Sequence, residues 1–351
     1  MNAFKYGTIV GGEFFTDRKR ELEIIKHRLD SENHIILISP RRYGKSSLVK
    51  QCLIETEKPY LWLDLQNVLS VSDLATQLLK NLLRTFTYER LKYELSHFRI
   101  VPTFSTNAMT NDWQVSFNLT ADSAIILEDV MQLMQKVATE SKHLVVVLDE
   151  FQEVRKIDKN LDRQLRSIMQ HQEHINYIFM GSQESMMNEI FEQKKSPFYH
   201  FGSLMKLDKI PYDDFYKFIF ERLPAVRLKE DIVRKILSFT QCHPYYTQQL
   251  SSQVWEKIVY EKQQDNIVEI SIAEVVQTHD LDYERLWNSF NRTDRNILRQ
   301  LAQGENPMQD YSVATSTTFS SLKRLSQNGI VVKTSTYELE DPFFKQWIKQ
   351  L

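Results

Sequence analysis

The stretch HIILISPRRYGKSSLVKQC, residues 34–52, decides how the rest of the chain is read. It opens on a short apolar run rich in β-branched residues, passes through a loop with one glycine, and closes on a segment of helical character. That order is strand, loop, helix. Within the loop, Gly44, Lys45 and Ser46 match the end of the pattern Gly-x-x-x-x-Gly-Lys-Ser/Thr. In such a loop successive backbone N–H groups and the positive end of the following helix converge on a phosphate, while the lysine adds a charge and the hydroxyl a magnesium ligand. Ser39 stands where the first glycine is expected, followed by φ-locked Pro40, a pair able to start the loop compactly. Ser39, Pro40, Arg41, Arg42, Tyr43, Gly44, Lys45, Ser46 and Ser47 are therefore the expected phosphate cradle.

Working outward, YLWLDLQ (60–66), HLVVVLDEF (143–151) and INYIFMGS (175–182) are further apolar runs. They read as strands of a parallel sheet covered on both faces. Helical patterns lie at 16–29, ahead of the first strand and with Thr16 as N-cap, and over 71–98, after the second. Alternating strands and helices predict an α/β layer. Residues 100–120 break the rhythm and predict an added strand or hairpin inserted in the sheet domain. In HLVVVLDEF the strand ends in two carboxylates, and its end is expected beside the phosphate-loop strand. Asp149 is then placed to hold magnesium through water, sharing the metal with Ser46, and Glu150 to polarise an attacking water. Ser182 is a candidate γ-phosphate sensor. Arg41, Arg42, Arg163 and Arg166 are candidates to neutralise transition-state charge, and the Arg pair within the loop favours Arg41 or Arg42 as a local clasp.

After Pro211 the chain reads as helical to about residue 260, where EKQQDN marks a polar linker. TDRNILRQLA, STTFSSLKRLSQNG and IVVKTSTYELEDPFFKQWI then give helix, helix and hairpin, the order of a winged helix. The expected organisation is a P-loop NTPase parallel sheet flanked by helices over 1–210, a helical lid over 211–280 and a winged-helix domain over 281–351. Phe319, Leu322 and Leu325 are expected to pack the core of that last domain. Its recognition helix offers only Lys323 and Arg324, and residues 281–351 hold nine Lys or Arg against eight Asp or Glu, a net of +1. A DNA-reading domain typically presents a more basic face.

Composition sets outer bounds. The 351 residues, 42% hydrophobic, suit two or three domains. With 44 Lys plus Arg against 46 Asp plus Glu, a net charge of -2 supplies no global field for nucleic acid or anionic membrane. Cys52 and Cys242 are far apart and form no C-x-x-C pair, which disfavours a disulfide framework or zinc site and suits a reducing compartment. No apolar run is long enough for a membrane helix and no leader is visible, so the expected location is cytoplasmic. Only eight glycines occur, so Gly44, Gly181 and Gly329 are expected to mark specific backbone demands.

Taken as an ordered set, FKYGTIVGGEFFTDRKREL, SPRRYGKSSL, VVVLDEFQEV, RSIMQHQEHINYIFMGSQESMM, QCHPYYTQQL and YELEDPFFKQWI resemble the archaeal-type P-loop ATPases of the STAND and AAA+ group over nearly the whole chain. The resemblance implies that the FFTDRKREL segment, with Phe15 and Arg18, flanks the adenine. It also implies that a lid segment with His243 and Pro244 closes over the base or phosphates. Read by itself, HPYY is a turn opening a helix, and His243 has a charge that changes near neutral pH and is suited to reporting phosphates. Two departures stand out: Ser39 for glycine, and Cys242 where the lid usually has glycine before His-Pro. The expected function is an ATP-binding, magnesium-dependent ATPase of slow turnover that acts as a nucleotide-controlled switch for a protein partner, with ring or dimer assembly open. The alternative is a DNA-associated winged-helix protein of initiator or mobile-element accessory type, using ATP mainly to order its fold. A degenerate ATPase with a structural nucleotide is a third reading.

Overall fold

A computed structural model of the chain describes all residues except 1, 17, 32, 107–112, 119, 264 and 310–313. The chain divides into two compact units, one made of Lys19–Ser39 and Lys45–Leu207, the other of Met1–Arg18, Pro40–Gly44 and Asp208–Leu351.

The first unit contains helix α1 (Lys19–Asp30), strand β1 (Ile35–Ile38), α2 (Lys45–Thr56), β2 (Tyr60–Asp64), α3 (Val71–Thr85), α4 (Tyr88–Leu95), β3 (Thr103–Thr106), β4 (Trp113–Ser116), α5 (Ser123–Val137), β5 (Leu144–Asp149), α6 (Val154–Ile157), α7 (Leu161–Met169), β6 (Ile175–Gly181), α8 (Glu184–Phe191) and β7 (Ser203–Lys206). Five strands form one parallel sheet in the order β2-β5-β6-β1-β7. All of β6, and β5 up to Leu148, are buried, so both faces are covered as the unbroken apolar runs predict. Strand β6 lies between β1 and β5. The strand that ends in Asp149 is therefore not the neighbour of the phosphate-loop strand, and the strand ending in Gly181 fills the space between.

Two further expectations change in detail. The helix foreseen over 71–98 is two helices, because Phe86 and Thr87 adopt extended backbone. The excursion at 100–120 is an antiparallel hairpin, β3 with β4, forming a sheet of its own, with Trp113 stacked on Tyr88 at 5.4 Å. The part of that excursion at 107–112 and 119 lies outside the described residues.

The second unit contains α9 (Tyr212–Arg222), α10 (Lys229–Thr240), α11 (Pro244–Glu256), α12 (Ile267–Thr278), α13 (Asp280–Ser289), α14 (Arg292–Gln303), α15 (Thr315–Gln327), β8 (Val331–Lys333), β9 (Tyr337–Leu339) and α16 (Pro342–Ile348). One apolar core runs through it, from Phe4, Phe215 and Leu237 to Leu298, Leu322 and Phe343. Phe319 is not in that core: it is 54% exposed. Thr318, Ser321, Leu322 and Leu325 make the buried stripe of α15 at i, i+3, i+4, i+7 spacing, and residue 319 falls off it. Thr16 also departs from expectation. Helix α1 starts only at Lys19, and the Thr16 hydroxyl accepts a hydrogen bond from Gln248 Nε2 at 2.9 Å.

Glycine scarcity has a local cost. Between α10 and α11 both Gln241 and Cys242 hold the left-handed conformation, at φ 50° and 58°, where an L side chain meets its own backbone. Cys242→Gly is expected to raise stability by about 1 kcal/mol, read as a shifted denaturant midpoint with unchanged m-value. Gly181 answers a different demand. A Cβ there falls 2.4 Å from Cγ and Sδ of Met187 and 2.8 Å from Oε1 of Gln152. Gly181→Ala is expected to cost about 1–3 kcal/mol by overpacking. Adding Met187→Ala should recover part of that loss, so strict additivity of the two substitutions in chemical denaturation would refute the clash as its cause.

Candidate nucleotide-binding site

In the first unit, β1 ends at Ile38, just before Ser39, and α2 begins at Lys45, so the lysine stands at the first turn of its helix. Its side chain is only 6% exposed. A buried ammonium needs oxygen partners. Ser39 supplies two of them, its carbonyl at 2.8 Å and its hydroxyl at 3.3 Å from Lys45 Nζ. The serine in place of glycine thus adds an acceptor that glycine lacks. One residue on, Ser46 Oγ donates to Asp149 Oδ2 at 3.3 Å, bringing together groups 103 positions apart.

Asp149 closes β5 in register with Asp64 at the end of β2. Its carboxyl is raised to about 6, chiefly by burial and then by Glu150, with Lys45 and the Glu150 N–H pulling back and Asp64 adding to the rise. The Glu150 N–H donates to Asp149 Oδ1 at 3.0 Å. Glu150 itself is left-handed at φ 51°. Its Oε2 accepts from Ser182 Oγ at 2.7 Å and from Gln152 Nε2. Ser182 follows β6, so the strand that separates β1 from β5 delivers the hydroxyl that orients Glu150. Gln152 is a residue that sequence reasoning missed. It is wholly buried, and its Oε1 has no hydrogen-bond partner among the described residues. The signal was present: in DEFQE a polar side chain recurs two residues after Glu150, within the same short 3-10 turn. Asp64 was also legible, since YLWLD ends in a carboxylate as VVVLD does.

Among the arginines of this unit, Arg163 is exposed, and Arg166 lies over the Phe201 ring at 4.4 Å while donating to Gln170.

The second unit holds Pro40–Gly44 and the proposed adenine and lid residues. Gly44 takes φ +86°, the left-handed turn that glycine makes at least cost. Arg41 is exposed. Arg42, at φ 65°, lies over the Tyr245 ring at 4.6 Å and reaches Tyr246 Oη at 3.2 Å, so it clasps α11. The carbonyl of Tyr43 accepts from buried Arg18 Nη2 at 3.1 Å, and the same Nη2 also reaches the Asp208 carbonyl at 2.8 Å. Phe15 is half-buried next to Thr16. His243 caps α11, with Pro244 in its first turn. Nδ1 accepts from the Tyr245 and Tyr246 N–H groups, so Nε2 carries the proton and donates to Glu340 Oε1 at 3.0 Å. Tyr246 Oη donates to the other oxygen of Glu340 at 2.8 Å.

A parallel five-stranded sheet with a Gly-Lys-Ser loop after β1 and an acid pair after β5 is the arrangement of P-loop ATPases. The family model for an ATPase domain predominantly from Archaea matches residues 15–250. The chain belongs to that family. As a member of these archaeal-type P-loop ATPases, it is similar in fold to the Walker-type ATPase PABY2304 of Pyrococcus abyssi, with 18% identity over 96% of this chain and 97% of that one at a TM-score of 0.66. It is also similar to the Orc1 protein of Aeropyrum pernix, solved in complex with DNA (11% identity, 95% and 92% covered, TM-score 0.53). The Orc2 protein of Aeropyrum pernix, solved as ADPNP-ADP complexes, matches at 16% identity, 95% of each chain and a TM-score of 0.53. No curated protein matches the sequence. Among the described residues no helix is long and apolar enough to cross a membrane.

Because Asp149 is raised in the folded chain, its ionisation opposes folding. The sign follows from linkage: the folded state binds the extra proton between the ordinary value of 3.8 and about 6, so stability falls as pH rises through that window. Asp149→Asn in the presence of a chelator should therefore stabilise the protein by about 1–3 kcal/mol at pH 7.5 and by nothing at pH 3.5. Equal unfolding free energies at pH 7.5 would show that Asp149 is not destabilised by its site.

Proposed function

We propose that the protein is a magnesium-dependent ATP hydrolase of slow turnover that works as a nucleotide-controlled switch. The observation that supports it most is the meeting of Ser46 Oγ with Asp149 Oδ2 at 3.3 Å, beside buried Lys45. The donor set fits magnesium: a hydroxyl and a carboxylate, both hard oxygen ligands, next to a second carboxylate whose charge an added cation would relieve. Among the described residues no group of three or more His, Cys, Asp or Glu could hold a metal. Magnesium is commonly held by one or two protein oxygens with phosphates and waters completing the shell. When bound it would neutralise charge on the phosphates.

In this reading Lys45 binds the β- and γ-phosphates, together with the N–H groups of the Ser39–Ser47 run. Glu150 orients the attacking water and receives its proton. Phe15 and Arg18 take the adenine side, and His243 and Pro244 belong to a lid over 211–280, followed by a winged domain over 281–351. The slow-turnover reading draws on the hydrogen bonds of Glu150: one oxygen already accepts from Ser182 and Gln152, so fewer of its lone pairs face a water. Ser182 then acts mainly by positioning Glu150. The switch reading draws on Pro40–Gly44, which belongs to the phosphate loop by sequence and to the second unit by packing. A protein partner is the expected reader of that unit. For the DNA reading, Arg324 on α15 is already paired with Asp294 at 2.6 Å, and among the described residues Lys323 is the one basic side chain of that helix with no acidic partner.

The test is ATP binding and phosphate release measured side by side. Lys45→Ala should lose tight ATP binding. Glu150→Gln should keep affinity within about threefold while turnover drops by about 10²-fold or more. Undiminished ATP affinity in Lys45→Ala would remove the loop assignment, and full turnover in Glu150→Gln would remove the base.

A further inference from the structure

Three lysines that the proposed nucleotide chemistry does not use converge on a cavity of the second unit. The cavity measures about 190 Å³, and its wall includes Lys209, Lys345, Lys349, Tyr43, Glu338 and Glu340. Both carboxylates are engaged. Glu338 faces Lys209 at 3.6 Å, and Glu340 accepts from His243 and Tyr246. Lys209 also donates to Gln241 Oε1 at 3.3 Å. Among the described residues no acidic side chain pairs with Lys345 or Lys349. Lys345 is half-buried, and its ammonium is made more acidic first by burial, then by the like charges of Lys349 and Lys209, with Glu338 opposing.

We propose that this cavity binds a small phosphate-class dianion, either orthophosphate or the head of a small phosphomonoester, between Lys345, Lys349 and Lys209. Size and charge both select that class. Drug-sized ligands take roughly 300–1,000 Å³, so a cavity this small takes a tetrahedral head group and leaves no room for a whole nucleotide. Two ammonium groups with no carboxylate partner among the described residues match a double negative charge, and charge-assisted hydrogen bonds to a phosphate oxygen are about twice as strong as neutral ones. Tyr43, buried in the cavity wall, precedes Gly44, so the phosphate loop is a part of the chain that an occupant touches directly.

The phosphate loop is itself a phosphate site under the proposed function, so the test is run in Lys45→Ala and its outcome is independent of that reading. Orthophosphate is titrated into Lys45→Ala by calorimetry at constant ionic strength set with sodium chloride. Saturable binding is expected, weakened at least tenfold in Lys45→Ala/Lys345→Gln/Lys349→Gln and tightened in Lys45→Ala/Glu338→Gln, where a competing carboxylate is removed. Lys45→Ala/Lys345→Arg should retain binding, which separates loss of charge from loss of fold. Glycerol 3-phosphate distinguishes the sources: tighter binding than orthophosphate assigns the site to a phosphomonoester head, and weaker binding assigns it to the free ion. Binding unaffected by the paired lysine substitutions, or no saturable binding of either anion by folded Lys45→Ala, overturns the proposal.

Discussion

Parallel pairing puts the carboxyl ends of all five strands at one edge of the sheet, and the arrangement of charged groups follows from that constraint. Ser39, Asp64, Asp149 and Gly181 are the residues at or just past four of those ends. The sheet is covered on both faces, so the side chains at its edge are held half out of water. A carboxylate there is costly, and Asp149 shows the cost in its raised pKa. The chain sets Lys45 and the Glu150 N–H against that cost without cancelling it. Perturbed ionisation of this kind is concentrated at functional sites.

The same constraint explains what sequence can and cannot reveal. Apolar runs such as LVVVLD and INYIFMG are legible because a doubly covered strand admits little else. Strand order is not legible, since nothing in a strand's own residues names its neighbour, and β6 entered between β1 and β5 unannounced. Its position gives Ser182 its partner: a hydroxyl read as facing phosphate donates to Glu150. Gln152 escaped for a related reason. A glutamine two residues past an acid pair reads as solvated until the 3-10 turn after β5 buries it wholly and sets it against Glu150. Phe319 failed in the other direction: apolar character alone suggested core, whereas the stripe of α15 is completed by Thr318 and Ser321.

Departures from the glycine pattern have separate physical outcomes. At Ser39 the backbone does not adopt positive φ, so a side chain is tolerated, and its hydroxyl becomes an acceptor for the lysine it precedes by six residues. At Cys242 the backbone does adopt positive φ, and the side chain is carried there at a cost. Gly181 carries neither signature, being set by the closeness of Met187 and Gln152. Three positions at which glycine matters are thus governed by a hydrogen bond, a torsion and a packing distance. Only the structure separates them.

The lysines of α16 have a simpler explanation to overcome. Cations in the last turn of a helix complement its macrodipole, typically by about 0.3–1 kcal/mol. That accounts for Lys349, which is exposed just past the helix end. It does not account for Lys345, which gives up solvent on one side while facing Lys349 and Lys209. A helix-end charge in water gains the dipole energy without that repulsion, so a chain optimising the dipole alone would not gather three ammonium groups around a cavity. Glu338 pairs with Lys209 and opposes the burial and like charges at Lys345 only in part. Lys345 is therefore the charge that the dipole leaves unexplained, and it shares the cavity wall with Tyr43, the residue before Gly44.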